Sequence, residues 1–178
     1  FLYLVSCFQN PTGITLSPAR RQALIAAAAE FGLPIVEDDP YGELSYEGER
    51  PPILASLDVA QHGELRHVAY LSTFSKLLAP GLRVGWVVAP EALVSKLAHA
   101  KQGLDLHSGS LSQAVAYEVC RDGLLDRHIP HIRATYHARR DAMLAALARH
   151  MPASIRWTRP AGGMFVWGVL PDGADSAA

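Results

Sequence analysis

The sequence predicts an α/β fold: a central, mostly parallel β-sheet flanked by helices. Three observations carry this. Short apolar runs at 2–8, 35–36, 68–71 and 84–88 have the length and composition of buried strands. A well-signalled helix separates the first two, which makes a strand–helix–strand unit, hence a parallel pair with a right-handed crossover. Three longer helical stretches then follow between 90 and 150.

Each element has its own signals. Leu2-Tyr3-Leu4-Val5-Ser6-Cys7-Phe8 reads as a buried strand, stopped by Pro11-Thr12-Gly13. Ser17-Pro18 opens a helix, with Ser17 as N-cap and Pro18 at its first position. Leu24, Ala28 and Phe31 give it an apolar stripe, and Gly32 ends it. Ile35-Val36 leads into Glu37-Asp38-Asp39. Residues 40–66 are irregular, with a short helix near 54–60. Val68–Leu71 and Val84–Val88 are further strands. Leu93, Leu97, Ala100 and Leu104 sit at helical spacing near 90–103, and a second helix spans 110–122. A third, near 124–150, aligns Leu125, Ile129, Ile132, Tyr136, Met143 and Leu147. A last strand is expected near 163–169, after Pro160 and Gly162-Gly163.

Composition narrows the function classes. The 178 residues carry 16 Lys+Arg and 17 Asp+Glu, a formal net charge of −1. That balance gives no global reason to bind nucleic acid or an anionic membrane. Apolar residues make up 49% and charged residues 19%, which suits a buried core and argues against disorder. The longest unbroken apolar stretch, Ala23 to Ala29, is far short of a membrane span. Cys7 and Cys120 form no CxxC pair, and a reduced cytoplasmic protein is expected. Phe1 is followed by a strand-like run with no basic segment, so the chain is expected to be a piece of a longer protein.

In an open parallel sheet, ligands bind beyond the carboxyl ends of the strands. Asn10 follows the first strand. Asp38 and Tyr41 follow the second. Thr73, Ser75 and Lys76 follow the third, with Arg83 seven residues on. A lysine in a partly desolvated pocket becomes a nucleophile toward carbonyls and forms a Schiff base. Hydroxyls beside an arginine suit a phosphate. A carboxylate pairs with a protonated ring nitrogen. Together these describe a pyridoxal phosphate site. Taken singly, Lys76 reads as a surface charge, Asp38-Asp39 as a loop cap, Asn10–Gly13 as a turn and Tyr41 as a core aromatic.

The runs Phe8-Gln9-Asn10-Pro11-Thr12-Gly13, Asp38-Asp39-Pro40-Tyr41 and Ser72-Thr73-Phe74-Ser75-Lys76 stand in one order. Pro80-Gly81-Leu82-Arg83-Val84-Gly85 and Gly162-Gly163-Met164-Phe165-Val166-Trp167 continue it. In these runs the chain resembles the class I/II aminotransferases of fold type I, most of all the branch of 2-aminoadipate and kynurenine aminotransferases. The resemblance implies that 1–150 is part of the cofactor-binding large domain and that 151–178 starts a smaller α+β domain. It implies that Lys76 holds pyridoxal 5'-phosphate as a Schiff base and that Asp38 pairs with its pyridine nitrogen. Tyr41 and Asn10 would hydrogen-bond the phenolic oxygen, and Thr73, Ser75 and Arg83 would hold the phosphate. Many members carry Ser or Gly where Thr73 stands, and Thr keeps the hydroxyl. The implied activity moves an amino group between an L-amino acid and a 2-oxo acid, in a cytoplasmic homodimer. The family's N-terminal phosphate-binding turn, its ring-stacking aromatic and its carboxylate-binding arginine lie outside these residues. The chain alone is therefore expected to be inactive.

Other readings stay beside this one. GntR-type (MocR) transcription regulators carry an aminotransferase-like domain with the same lysine and aspartate, used for ligand sensing. A decarboxylase or lyase on the same fold is a third option. Asp126, His128 and His131 have metal-ligand spacing, but Pro130, Arg127 and Arg133 favour a solvated helix start, and no metal is assigned. Arg133, Arg139 and Arg140 form a locally basic stretch without the aromatic interleaving of a nucleic-acid site. Asp105–Ser108 reads as an interhelical loop or a subunit contact. Cys7 and Cys120 read as buried small residues.

Overall fold

The computed structural model describes residues 1–174. Four strands, β1 (Leu2–Val5), β2 (Ile35–Asp38), β3 (Val68–Thr73) and β4 (Gly85–Val88), form one sheet in the order β1-β2-β3-β4. β1, β2 and β3 run parallel, and β4 returns antiparallel to β3. The parallel steps each have a helix between the strands. The step from β3 to β4 has only a tight loop, which cannot make a parallel crossover.

Helix α1 (Pro18–Phe31) starts and stops where the sequence says. The Ser17 hydroxyl accepts from the Arg20 N–H, and Gly32 takes a left-handed φ of 59°, with its N–H on the Ala28 carbonyl. The inward stripe differs from the expected one. Arg21, Ile25 and Ala28 are buried, while Phe31 is 73% exposed. Helix α2 (Leu54–His62) lies beside α1, and both cover one sheet face. The core there is Ile25, Ala28, Ile35, Leu54, Ala55 and Val68, with Leu2 and Leu4 packed against it.

Arg21 reaches the centre of that face and is fully buried. Its guanidinium donates to the carbonyls of Leu16, Ser6 and Pro52, to the Ser6 hydroxyl, and to Glu37 Oε1 at 3.4 Å. Glu37, also fully buried, accepts in addition from the Ser6 hydroxyl at 2.6 Å and the Ala55 N–H. One ion pair therefore ties the end of β1, α1, β2 and the start of α2.

Helices α3 (Glu91–Leu104), α4 (Ser110–Arg121) and α5 (Leu124–His150) follow as expected. No residue of α3 is buried among the described residues, and Leu93, Val94 and Leu97 on it are exposed. Cys7 is buried and Cys120 half-buried, both as free thiols. The basic stretch on α5 is used inside the molecule. Arg133 pairs with Glu43, and the largely buried Arg140 binds Glu47, Asp141 and the Pro160 carbonyl.

The strand expected at 163–169 is not formed as such. Only β6 (Gly168–Val169) is strand, paired antiparallel with β5 (Arg156–Trp157), which the periodicity did not reveal. The preceding segment is drawn against the sheet instead. Ser45 bridges Gly162, and the Phe165 ring meets Tyr41 edge-on at 5.4 Å. Gly162 is required there, because a Cβ would lie 2.3 Å from the Phe8 ring and 2.5 Å from the Leu44 carbonyl oxygen.

Two outcomes are expected for the protein that carries this chain. Arg21→Met leaves the Glu37 carboxylate buried without its cation and lowers stability by about 3–5 kcal/mol in chemical denaturation. The second concerns Asp58, whose side chain is fully buried. Burial works to raise its pKa, but the N–H groups of Arg66, His67 and Val68, with His62, outweigh it and hold the carboxyl below its ordinary value. Its contribution is present above the ordinary aspartate range and is lost as pH falls from that range through the lowered pKa of the folded state. The Asp58→Asn variant should therefore show a shallower acid limb in its stability–pH profile.

Candidate active site

Of the residues singled out from the sequence, Asp38 and Thr73 lie on the second sheet face, and the others follow on the loops after the strands. In a strand, alternate side chains share a face. Register pairs Val5 with Asp38 and Asp38 with Leu71, so Tyr3, Val5, Asp38, Leu71 and Thr73 point to the same side. Helices α1 and α2 lie on the opposite side, against Leu2, Leu4, Ile35 and Val68.

Asp38 closes β2. Its Oδ2 accepts the Tyr3 O–H at 2.5 Å, and its Oδ1 has no hydrogen-bond donor among the described residues. Tyr3 was not a sequence candidate. The signal that could have found it is the two-residue alternation that puts it on the face of Asp38. Asp39, one residue on, points to the other side and is buried. It accepts from Arg50, from the Gly42 N–H at 2.9 Å and from the Tyr70 hydroxyl. Burial works to lower the Arg50 pKa, but the charges of Asp39 and Glu43 hold it above its ordinary value. Gly42 is part of that arrangement, since a Cβ there would meet both Asp39 oxygens at 2.5 Å.

Tyr41 follows in the turn after β2 and is 7% exposed, packed with Cys7, Phe8 and Phe165. Burial pushes its hydroxyl pKa up, the Asn10 side chain pulls it back and the Asp38 charge adds to the rise. Asn10, Asp38 and Tyr41 are thus brought together from the ends of β1 and β2. Gln9 shapes the Asn10 loop by accepting from the N–H and hydroxyl of Thr12.

Thr73, Ser75 and Lys76 form a second group. Phe74 anchors the turn: its carbonyl accepts from Leu77, Leu78 and Ala79, and its N–H reaches the Val84 carbonyl. The Thr73 hydroxyl lies 3.0 Å from that of Ser75 and accepts the Ser75 N–H. Lys76, half-buried on this turn, has no carboxylate partner among the described residues. Arg83 is exposed at the far end of the loop with a left-handed φ of 54°, its guanidinium on the Pro80 carbonyl. No direct hydrogen bond joins the two groups among the described residues. They adjoin because Asp38 and Leu71 are register partners on neighbouring strands, which lie about 4.8 Å apart.

Asp126, His128 and His131 stay on the first turns of α5. The potential ligands that do converge among the described residues are Asp58, His62 and His67. The Asp58 oxygens are already taken there by three backbone N–H groups and the His62 ring nitrogen.

The family model described as "Aminotransferase class I and II" matches residues 2–178. Aromatic-amino-acid aminotransferase 1 of Thermococcus litoralis is 46% identical over 98% of the chain. The uncharacterized HTH-type transcriptional regulator YdfD of Bacillus subtilis is 40% identical over 96%. The chain spans 41% of the length of the first and 34% of the second. Among solved structures, LysN, the α-aminoadipate aminotransferase of Thermus thermophilus complexed with N-(5'-phosphopyridoxyl)-L-leucine, superposes with a TM-score of 0.94 at 43% identity. That match covers 99% of this chain and 45% of LysN. Pyrococcus horikoshii kynurenine aminotransferase, solved in complex with PMP, gives a TM-score of 0.92 at 47% identity, covering 98% and 42%.

The two adjacent aspartates should separate in stability measurements. Asp39→Ala orphans Arg50 and the Gly42 N–H and costs about 2–3 kcal/mol, whereas Asp38→Ala costs under about 1 kcal/mol. Denaturant midpoints of the two variants test this, and equal losses would contradict it.

Proposed function

Because the chain belongs to the class I and II aminotransferases and shares their fold type I architecture, we propose that the protein carrying it is a pyridoxal-phosphate-dependent aminotransferase. It moves an amino group between an L-amino acid and a 2-oxo acid. The observation that carries this reading is Lys76: half-buried on the turn after β3, free of carboxylates among the described residues and preceded on that turn by the paired hydroxyls of Thr73 and Ser75.

The donor set fits the cofactor. Lys76 Nζ is the amine for its carbonyl. Asp38, with Oδ1 uncommitted, is the anion for its ring nitrogen. Thr73, Ser75 and Arg83 offer hydroxyls and a guanidinium for its phosphate. Tyr41 and Asn10, from the turns after β2 and β1, suit its phenolic oxygen. Pyridoxal phosphate supplies a carbonyl that reversibly takes up an amino group and a ring that accepts an electron pair.

The chain's own residues do the rest. Asp38 meets only a neutral donor, the Tyr3 O–H, and leaves its other oxygen for a cation. Lys76 Nζ, on its rigid turn, takes a proton from the substrate's α-carbon and returns it on the other side of the transfer. Buried Tyr41 keeps its hydroxyl proton and donates it. The opposite half of the phosphate site and the group that grips the substrate carboxylate belong to other parts of the protein. Residues 151–178 are read as the start of its smaller domain. We also place it in the cytoplasm, as a homodimer, which the unpaired apolar line on α3 and the two free cysteines support. No helix among the described residues is long and apolar enough to cross a membrane.

A ligand-sensing role is the second reading, favoured by the similarity to YdfD. It uses the same attachments without turnover.

Borohydride reduction of the full-length protein, followed by peptide mapping, should place the cofactor label on Lys76, and Lys76→Ala should abolish both label and amino transfer. A label spread over Lys96 and Lys101 would sink the assignment. Label on Lys76 without transfer to any 2-oxo acid would favour the sensor.

A further inference from the structure

Glu37, Asp38 and Asp39 are consecutive, yet each has a different kind of partner. Glu37 and Asp39 face guanidinium groups, Arg21 and Arg50. Asp38 faces a phenol. Tyr3 pairs in register with Val36 and Val5 with Asp38, so Tyr3 stands one step diagonally back from Asp38 on the same face. A phenol has the length to span that diagonal, and its O–H donates to Oδ2 at 2.5 Å. The contact holds the hydroxyl proton firmly. The hydrogen bond to Asp38 first, then burial and the charges of Asp38 and Tyr41, push the Tyr3 pKa up to about 12.

A carboxylate that must serve a cation has two opposed needs. It must be aimed, and it must keep its charge. A guanidinium partner aims it but neutralises it, as Arg50 does to Asp39. Water leaves it charged but free to rotate. A neutral O–H donor on one oxygen fixes the carboxylate plane and leaves the full charge for a group approaching the other oxygen. The strand geometry supports such a role, because Tyr3 is held by the β1 backbone, not by a loop.

We propose that Tyr3 is a positioning residue, whose hydroxyl aims the Asp38 carboxylate at the ring nitrogen of the bound cofactor. This rests on the cofactor assignment made above. Tyr3 would touch neither substrate nor cofactor and would act only through Asp38.

The test uses the full-length protein stripped of cofactor. Tyr3→Phe removes the hydroxyl and keeps the ring. Its dissociation constant for pyridoxal phosphate, measured by absorbance titration, should rise about five- to tenfold, the loss of one hydrogen bond to a charged group. Its melting temperature without cofactor should fall no further than that of Asp38→Asn, so that the loss of affinity is not a loss of fold, which a merely structural role would not give. In an Asp38→Asn background, Tyr3→Phe should have no further effect on the dissociation constant. Independently of any cofactor, ultraviolet titration should show the Tyr3 phenol moving from about 12 toward its ordinary value in Asp38→Asn. Tyr3→Phe binding as tightly as the parent would overturn the proposal alone, and so would an equal loss with Asp38 already replaced. If the parent itself takes up no pyridoxal phosphate, the aminotransferase reading falls, and this proposal with it.

Discussion

The buried Arg21–Glu37 pair is the constraint on which the rest depends. An arginine with no exposed surface is tolerated only when its donors are used. Here they reach the Leu16, Ser6 and Pro52 carbonyls, the Ser6 hydroxyl and Glu37. Those acceptors stand just after β1, just before α1, within β2 and just before α2, so the pair, with Arg21 on α1, fixes all four at once. Ser6 precedes the loop that carries Asn10, and Glu37 precedes Asp38. The register that puts the candidate site at one edge is therefore set from the opposite sheet face.

Alternation then divides the acidic run at the end of β2. The two residues that point to the helix-covered face are consumed in ion pairs with arginines. The middle one, pointing the other way, meets a neutral hydroxyl and no guanidinium among the described residues. This division separates scaffold from chemistry within three consecutive residues. Asp39 organises the following turn through Gly42 and Arg50, and that turn brings Tyr41 back over the sheet edge.

A second set of contacts closes the arrangement from behind. Arg133 and Arg140 of α5 hold the 43–47 segment through Glu43 and Glu47. Residues 160–165 lie against Phe8 and Tyr41, which needs the absence of a side chain at Gly162. The loops after β1 and β2 are thus clamped between the sheet and a segment more than a hundred residues later. By contrast, the loop after β3 is braced locally by Phe74 and Thr73, and its arginine stays exposed.

The strands, the capped helix α1 and the order of the chemistry-bearing residues were legible in the sequence, because each rests on local rules. Apolar runs bury, Ser-Pro opens a helix, Gly closes it, and polar groups after parallel strands collect at one edge. The class of the candidate site, with Lys76, Asp38, Asn10, Tyr41, Thr73, Ser75 and Arg83, follows from that order and from the motif resemblance. Tertiary structure alone decided what depends on partners distant in sequence. It made Arg21 a core residue and left Phe31 outside, since the inward face of α1 is set by the sheet and not by the helix's own apolar stripe. It drew residues 162–165 against Phe8 and Tyr41 and left only Gly168–Val169 as strand, since those contacts come from loops far away in sequence. It also gave Asp38 and Asp39 different partners, since neither Tyr3 nor Arg50 is near them in sequence, and only the register and the fold bring each within hydrogen-bonding reach.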